Sequence, residues 1–167
     1  GDSIPAMIAV GAVCDIAGAS GNRELPVEDF MTGVGTNALL DGELLLGLKI
    51  KKPGSNSRDA YLRFIPRTEM DIAVAAVASS VSLENGKISS CRIALAAVGP
   101  TPIFAEEASQ MLIGKEPTEE NIKNASNKAK ELASPISDMR GTVEHRKDLI
   151  EVLTRRTLSK AVERVGV

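Results

Sequence analysis

Two apolar runs enclose the turn sequence Leu83-Glu84-Asn85-Gly86-Lys87-Ile88. The first run covers Ile72–Leu83 and the second covers Ile88–Val98, which Gly99-Pro100 ends. Asn-Gly is a preferred centre for a type I′ turn, because both central residues of that turn need a positive φ. The alanines of the first run are also compatible with a helix, but the turn favours strands. The stretch therefore predicts an antiparallel β-hairpin.

The chain before this hairpin divides at the polar stretch Lys51–Asp59, which contains Pro53-Gly54. Ala60–Ile65 after it reads as a further strand. The part before it is too short to bury a core comfortably by itself, so we expect it to pack on something else. The leucines at 44, 45, 46 and 48 are typical of a buried strand. The other elements predicted in this part are a helix over Pro5–Val10 and strands over Gly11–Ile16, Arg23–Pro26 and Glu43–Ile50.

Three helices are predicted after the hairpin. The first begins at Thr101-Pro102 and ends at Gly114, because these residues suit a helix cap, a first turn and a C-terminus. The second begins at Thr118 and ends before Pro135, and the third covers about 143–165. Strands followed by helices indicate an α+β fold, with an antiparallel sheet and a C-terminal three-helix bundle.

Composition excludes several classes of function. The 167 residues carry 20 Lys+Arg against 22 Asp+Glu, which argues against nucleic-acid binding. One His excludes a multi-histidine metal site, and we expect no metal ligands and no catalytic residues in this chain. The two cysteines, Cys14 and Cys91, are expected as free buried thiols rather than a disulfide. No segment is long and apolar enough to span a membrane, so we expect a cytoplasmic protein.

Several motifs have both a functional and a structural interpretation. Gly33–Ala38 matches the spacing GxGxxA, but no buried strand precedes it, so we interpret it as a connection. His145 has no nucleophile near it in sequence and is expected at the surface or in an interface. Asp138 and Arg140 are expected to order the loop before the last helix.

Two arginines four residues apart precede an aspartate. Arg63 and Arg67 suit an anion or a ring carbonyl, because guanidinium groups donate paired hydrogen bonds. Alternatively, Arg67 and Asp71 form a local ion pair that fixes the turn, and spacing alone favours this structural interpretation.

The order of these segments resembles the flavin-binding medium subunit of molybdenum hydroxylases, the carbon monoxide dehydrogenase and xanthine dehydrogenase family. The resemblance runs nearly from end to end. It depends on Gly1–Ala9, Phe30 with Gly33, Asp41–Leu45, Tyr61–Arg63, Arg67, Asp71–Ala73, Val98–Pro102, Gly114-Lys115, Ser137–Gly141, His145-Arg146 and Leu153–Arg156.

The resemblance implies which residues bind FAD. Asp2 matches an aspartate near the ribityl and phosphate region of FAD, and Leu45, beside Leu44, matches residues that border the isoalloxazine. Arg63 stands where the family usually has a flavin-contacting lysine, and Arg67 and Ile72 match positions close to the ring. The family's glycine-rich turns for the pyrophosphate do not occur in this chain, so we expect weak or no FAD binding by the chain alone.

The resemblance also implies the domains and partners. Residues 1–52 correspond to the C-terminal part of an FAD-binding domain, and residues 53–167 to the family's C-terminal domain, a three-stranded sheet beside a helix bundle. We expect a trimmed or excised chain that lacks the N-terminal half of the FAD domain and is inactive alone. The implied partners are that missing half, a molybdopterin-binding subunit and a [2Fe–2S] subunit. Two hypotheses follow: an electron-relaying FAD subunit, or a non-catalytic docking module of the same complex.

Overall fold

The fold combines a larger four-stranded and a smaller three-stranded antiparallel sheet with a separate pair of short strands and a group of C-terminal helices. The computed structural model describes residues 2–67 and 71–166. In chain order the elements are α1 (Ser3–Ala9), β1 (Val13–Gly18), β2 (Gly21–Pro26), α2 (Val27–Phe30), β3 (Met31–Gly33), β4 (Thr36–Asn37), β5 (Leu44–Lys49), β6 (Ser57–Phe64), β7 (Ala75–Glu84), β8 (Lys87–Ala96), β9 (Ile103–Phe104), α3 (Glu106–Gln110), α4 (Glu119–Leu132) and α5 (Val143–Val165). The predicted α+β class is confirmed.

The larger sheet has the strand order β6-β7-β8-β9, and its pairings are antiparallel. The predicted hairpin joins β7 to β8, with φ of 51° at Asn85 and 75° at Gly86, as a type I′ turn requires. β7 begins at Ala75 rather than at Ile72. The sheet has one strand more than the resemblance implies, because the two-residue strand β9 pairs with the end of β8.

The two faces of the larger sheet carry side chains of different size. One face presents Val77, Val81, Ile93 and Leu95, which are fully buried in the main core with α4 and α5. The opposite face carries small residues, and α1 packs across it on β7 and β8. These small residues are Ala76, Ala78, Ala94 and Ala96. The alanines that made the sequence ambiguous between strand and helix therefore let a helix approach the sheet closely.

The helix predicted from Thr101 to Gly114 is wrong at both ends. Ile103 and Phe104 form β9 instead, opposite Leu95 and Ala94, and the helical turns of α3 cover only Glu106–Gln110. Hydrogen bonding to the edge of the larger sheet outweighs the local helix signal, because the Ala105 N–H donates to the Ile93 carbonyl, at 2.8 Å.

The smaller sheet has the strand order β2-β1-β5. Cys14 and Ile16 of this sheet form a buried cluster with Ile8, Ala12 and Val27 of the first part and with Ala94 of the larger sheet, as expected for a part that packs on the rest. Cys91 lies in the separate main core, and both thiols are free.

The prediction that the leucines of 44–48 are buried is wrong. Leu44 is 69% exposed, and Leu46 and Leu48 are also exposed. The reason is the position of β5, which is an edge strand that pairs with β1 on one side within the described residues. The apolar run marked a strand correctly, but local sequence does not reveal which neighbour covers it.

The two long helices begin and end where the sequence predicts. The Thr118 hydroxyl accepts a hydrogen bond from the Asn121 N–H at the start of α4, and the Thr142 hydroxyl accepts one from the His145 N–H at the start of α5. Gly166, with φ of 93°, ends α5. Across residues 2–67 and 71–166, no helix has the length and apolar character needed to cross a membrane.

Candidate functional site

An ion pair joins the start of the chain to β6. The Asp2 carboxylate lies at the N-terminus of α1 and pairs with the Arg63 guanidinium. Tyr61, two residues earlier on β6, packs against Ala73, Ala76 and Ala96. Burial, together with the nearby Asp2 carboxylate, raises the pKa of Tyr61 to about 12. The Tyr61 hydroxyl oxygen is buried. Two of the four predicted site residues, Asp2 and Arg63, are therefore in direct contact.

Leu45 lies on the smaller sheet, on the face that carries the buried Ile16. It is directly opposite Ile16, and paired residues of antiparallel strands point to the same face. Ile16 is buried in the same cluster as Ile8 of α1, whereas Leu45 is 41% exposed. The apolar face that is buried at Ile16 on β1 is therefore partly exposed at Leu45 on β5.

A salt bridge that the sequence did not reveal fixes the turn before β5. The Arg23 Nε and Nη2 atoms each donate to the Glu43 carboxylate at 2.7 Å. The Leu40 N–H donates to the same carboxylate at 2.7 Å. The Arg23 guanidinium, with this N–H, lowers the pKa of Glu43 from 4.5 to about 2. Since the partners are 20 residues apart, one on β2 and the other in the turn before β5, no local spacing predicted the pair.

We expect the Arg23→Met variant to raise the pKa of Glu43 from about 2 towards 4.5. Because the pKa is lowered in the folded chain, the pair stabilises the fold fully above the unfolded pKa of 4.5, and the contribution is lost as the pH falls through about 2. An NMR titration of the Glu43 side-chain carboxyl measures the shift. A Glu43 pKa that stays near 2 in the variant would show that Arg23 is not the cause.

The remaining predicted site residue, Arg67, forms the local ion pair that spacing favoured. Its Nε lies 3.4 Å from Asp71 Oδ2, and Asp71 Oδ1 accepts a hydrogen bond from the Ile72 N–H at 2.8 Å. Ile72 is 64% exposed and lines a hollow of about 480 Å³, together with Ile136 and Arg140. Residues 68–70 of this motif, like Gly1 and Val167, lie outside the described residues.

A buried arginine that sequence reasoning missed lies beside this segment. The Arg146 Nη2 donates to Asp138 Oδ1 at 2.6 Å, and its Nη1 donates to the Val74 carbonyl at 2.8 Å. Asp138 Oδ1 also accepts the Arg140 N–H at 2.8 Å, so these two residues order the loop as predicted. A signal for Arg146 existed, because it lies one helical turn before Ile150 on the buried stripe of α5.

Two other motifs have structural roles. Gly33-Val34-Gly35-Thr36 forms the turn between β3 and β4, and the short helix α2 precedes it. A dinucleotide fingerprint needs a helix directly after the glycines, and strand β4 follows them instead, so the interpretation of Gly33–Ala38 as a connection is confirmed. His145 is exposed, as predicted, and its ring packs edge-on against Phe64 with 5.9 Å between centroids.

Comparison with known proteins matches both parts of the chain to families. Residues 1–53 match the FAD binding domain in molybdopterin dehydrogenase, and residues 60–161 match the CO dehydrogenase flavoprotein C-terminal domain. The carbon monoxide dehydrogenase medium chain of Afipia carboxidovorans is 32% identical over 98% of this chain. The xanthine dehydrogenase FAD-binding subunit of Escherichia coli O157:H7 is 28% identical over 99% of this chain. This chain spans 57% of the length of each relative.

The fold agrees with these relationships. The structure of the reconstituted CO dehydrogenase from Oligotropha carboxidovorans superimposes with a TM-score of 0.90 at 31% identity, over 98% of this chain and 57% of the matched chain. The chain therefore belongs to the family of FAD-binding medium subunits of molybdenum hydroxylases, which includes the carbon monoxide and xanthine dehydrogenases.

Proposed function

We propose that this chain is part of an FAD-binding subunit that relays electrons from [2Fe–2S] clusters to FAD and on to an external acceptor. The observation that carries this proposal is the contact between Asp2 and Arg63, which come from the two family-matched parts of the chain. The contact places a carboxylate and a guanidinium at one position between α1 and β6. A docking role by itself gives no reason for such a polar pair there.

The chemistry of these residues fits one side of a flavin. The Arg63 guanidinium donates hydrogen bonds of the kind that a ring carbonyl accepts, and the Asp2 carboxylate accepts hydrogen bonds of the kind that a ribityl hydroxyl donates. The exposed Leu45 offers apolar surface for a ring, and we place Arg67 next to the same ring. When bound, FAD supplies the redox chemistry, and these residues orient it and tune its electrostatic surroundings.

The exposed strand β5 supports the proposed partners. Leu44, Leu46 and Leu48 are exposed on an edge strand, and an apolar edge strand is normally covered or paired in a working protein. We propose that the other half of the FAD-binding domain covers it. We further propose that a molybdopterin-binding subunit and a [2Fe–2S] subunit complete a cytoplasmic complex. The two free buried thiols are in keeping with a reducing compartment.

The alternative function is a docking module without a cofactor of its own. Ile136 and Met139 favour it, because they are 74% and 94% exposed on the loop before α5. Apolar side chains grouped on one exposed loop suit contact with another subunit. The two functions differ in whether Asp2 and Arg63 affect FAD binding.

A chimera tests the proposed function. Its first part is the portion of the Escherichia coli O157:H7 subunit that the match leaves uncovered, and its second part is this chain. We expect the chimera to bind FAD stoichiometrically and to quench flavin fluorescence. The Arg63→Met chimera should bind FAD about tenfold more weakly, because a hydrogen bond to a charged group contributes about 1.5 kcal/mol. A chimera that has native circular dichroism and binds no FAD would refute the function.

We expect the 167-residue chain alone to bind FAD weakly or not at all. FAD affinity depends strongly on backbone N–H groups around the pyrophosphate, and the glycine-rich turns that supply them in the family do not occur in this sequence. Fluorescence titration of the purified chain with FAD measures this. A submicromolar complex that quenches the flavin would contradict the expectation.

A further inference from the structure

The first turn of α5 holds both ends of the segment 65–73, which carries Arg67 and Ile72. At one end, the His145 ring packs against the ring of Phe64, the last residue of β6. At the other end, Arg146 Nη1 donates to the Val74 carbonyl at 2.8 Å. The Val74 N–H donates in turn to the Phe64 carbonyl at 2.9 Å, which brings the two ends together.

The Arg146 side chain is buried and bonded within the protein, so it is not available to bind a ligand. It is 5% exposed, and its Nη1 also donates to the Ala97 carbonyl at 3.2 Å. Ala97 adopts a φ of 63°, an unfavourable conformation for alanine that turns the chain after β8. The guanidinium also bonds Asp138, so one side chain joins three backbone segments: the end of segment 65–73, the residue after β8, and the loop before α5.

A second route leads from Arg146 to the same segment. Asp138 orders the backbone of Arg140, whose Nε lies 3.9 Å from Asp71 Oδ1. That oxygen accepts the Ile72 N–H. Positive and negative side chains therefore alternate along this route: Arg146, Asp138, Arg140 and Asp71. Each contact limits the movement of the next residue in the series. Both routes end on the residues that precede β7.

We propose that Arg146 is a positioning residue for residues 71–74, the described residues that precede β7, which it holds beside the flavin without touching the flavin. The presence of the flavin beside these residues rests on the proposed function. The restraint that Arg146 places on their position does not. An arginine suits this role because its planar guanidinium donates hydrogen bonds to several acceptors at once. The ammonium group of a lysine, at the end of a flexible side chain, cannot reproduce this geometry.

The test compares Arg146→Met with a control of similar instability, Leu158→Ala, in the 167-residue chain. Leu158 is buried on α5, away from these contacts. In Arg146→Met, we expect the Val74 amide to exchange about tenfold faster relative to the Leu95 amide, because local opening no longer has to break the arginine contacts. In Leu158→Ala, both amides should accelerate together. Arg146→Lys should behave like Arg146→Met, since a positive charge alone does not restore the hydrogen bonds of the guanidinium.

Tyr61 provides an independent readout at neutral pH. It is the only tyrosine, tryptophan does not occur in the sequence, and its ring packs against Ala73. Acrylamide should therefore quench the fluorescence of Arg146→Met about twofold more effectively than that of the folded Leu158→Ala control. Equal quenching together with parallel exchange at Val74 and Leu95 would overturn the proposal, because Arg146 would then contribute only to global stability.

The FAD chimera separates this proposal from the proposed function. We expect Arg146→Met to weaken FAD binding in the chimera, whereas Leu158→Ala leaves binding close to that of the parent chimera. If Val74 exchange accelerates while FAD affinity stays unchanged, the positioning of the segment stands and its placement beside the flavin is wrong. If the parent chimera binds no FAD, the proposed function fails, and the exchange measurement still decides the role of Arg146.

Discussion

The Arg92→Met variant is expected to lose about 2 to 3 kcal/mol of unfolding free energy. Arg92, on β8, connects the larger sheet to the first part of the chain. Its Nη2 donates to Glu28 Oε1 at 2.5 Å, its Nε donates to the Ile8 carbonyl at 2.8 Å, and its guanidinium lies 4.1 Å from the centroid of the Phe104 ring. Methionine keeps the apolar stem but leaves the Glu28 carboxylate without its cation. Urea denaturation measures the loss.

The double variant Glu28→Gln with Arg92→Met serves as the control. Glu28 Oε2 is already buried without a hydrogen-bond partner among the described residues, so removing the charge should relieve part of the cost of losing Arg92. We therefore expect the double variant to be more stable than Arg92→Met. A single variant within about 0.5 kcal/mol of the parent chain would show that Arg92 is not the link between the two parts.

The Ala94→Leu variant should cost about 3 kcal/mol and displace α1 from the larger sheet. Ala94 is fully buried in the same cluster as Ile8 of α1. A larger side chain has no space there, because α1 packs directly on the alanine face of β7 and β8. Since α1 carries Asp2 at its N-terminus, the same substitution should weaken the contact between Asp2 and Arg63.

The matched control is Ser90→Leu. Ser90 lies on the same face of β8 as Arg92 and Ala94, because the three are spaced two residues apart, but Ser90 is exposed. We expect this variant to stay within about 0.5 kcal/mol of the parent chain. Chemical denaturation gives the stabilities, and NMR shifts of the Asp2 and Arg63 side chains report their contact. Equal losses in the two leucine variants would mean that α1 does not determine the size limit at Ala94.

Sequence predicted best those elements whose signals are local. The Asn85-Gly86 turn and the Thr118 start of α4 each depend on a few adjacent residues, and both were located correctly. The strand β9 was missed because its hydrogen bonds come from β8, about ten residues away along the chain. The exposure of β5 was missed for a related reason, since a hydrophobic run predicts burial only when a covering element exists.

The candidate site likewise contains local contacts that the sequence predicted and long-range contacts that it did not. The pair of Arg67 and Asp71 followed from a spacing of four residues. The contact between Asp2 and Arg63 spans 61 residues, so their spacing alone could not predict it. Arg63 was singled out with Arg67 for its chemistry, whereas Asp2 was singled out only through the family resemblance. Arg146 was overlooked because an arginine on a helix is normally solvated, and only its three acceptors in the folded chain explain its burial.

The alanine contact between α1 and the larger sheet also limits how this protein can change during evolution. Alanine has no rotamers with which to accommodate a larger neighbour, so the separation between the two elements is set by backbone and methyl groups. A methyl group gained at Ala94 must therefore be matched by one lost from α1, for example at Ile8. Substitutions in this layer should accumulate as compensating pairs across a lineage, whereas the solvent-facing serines of β8 are free to drift singly.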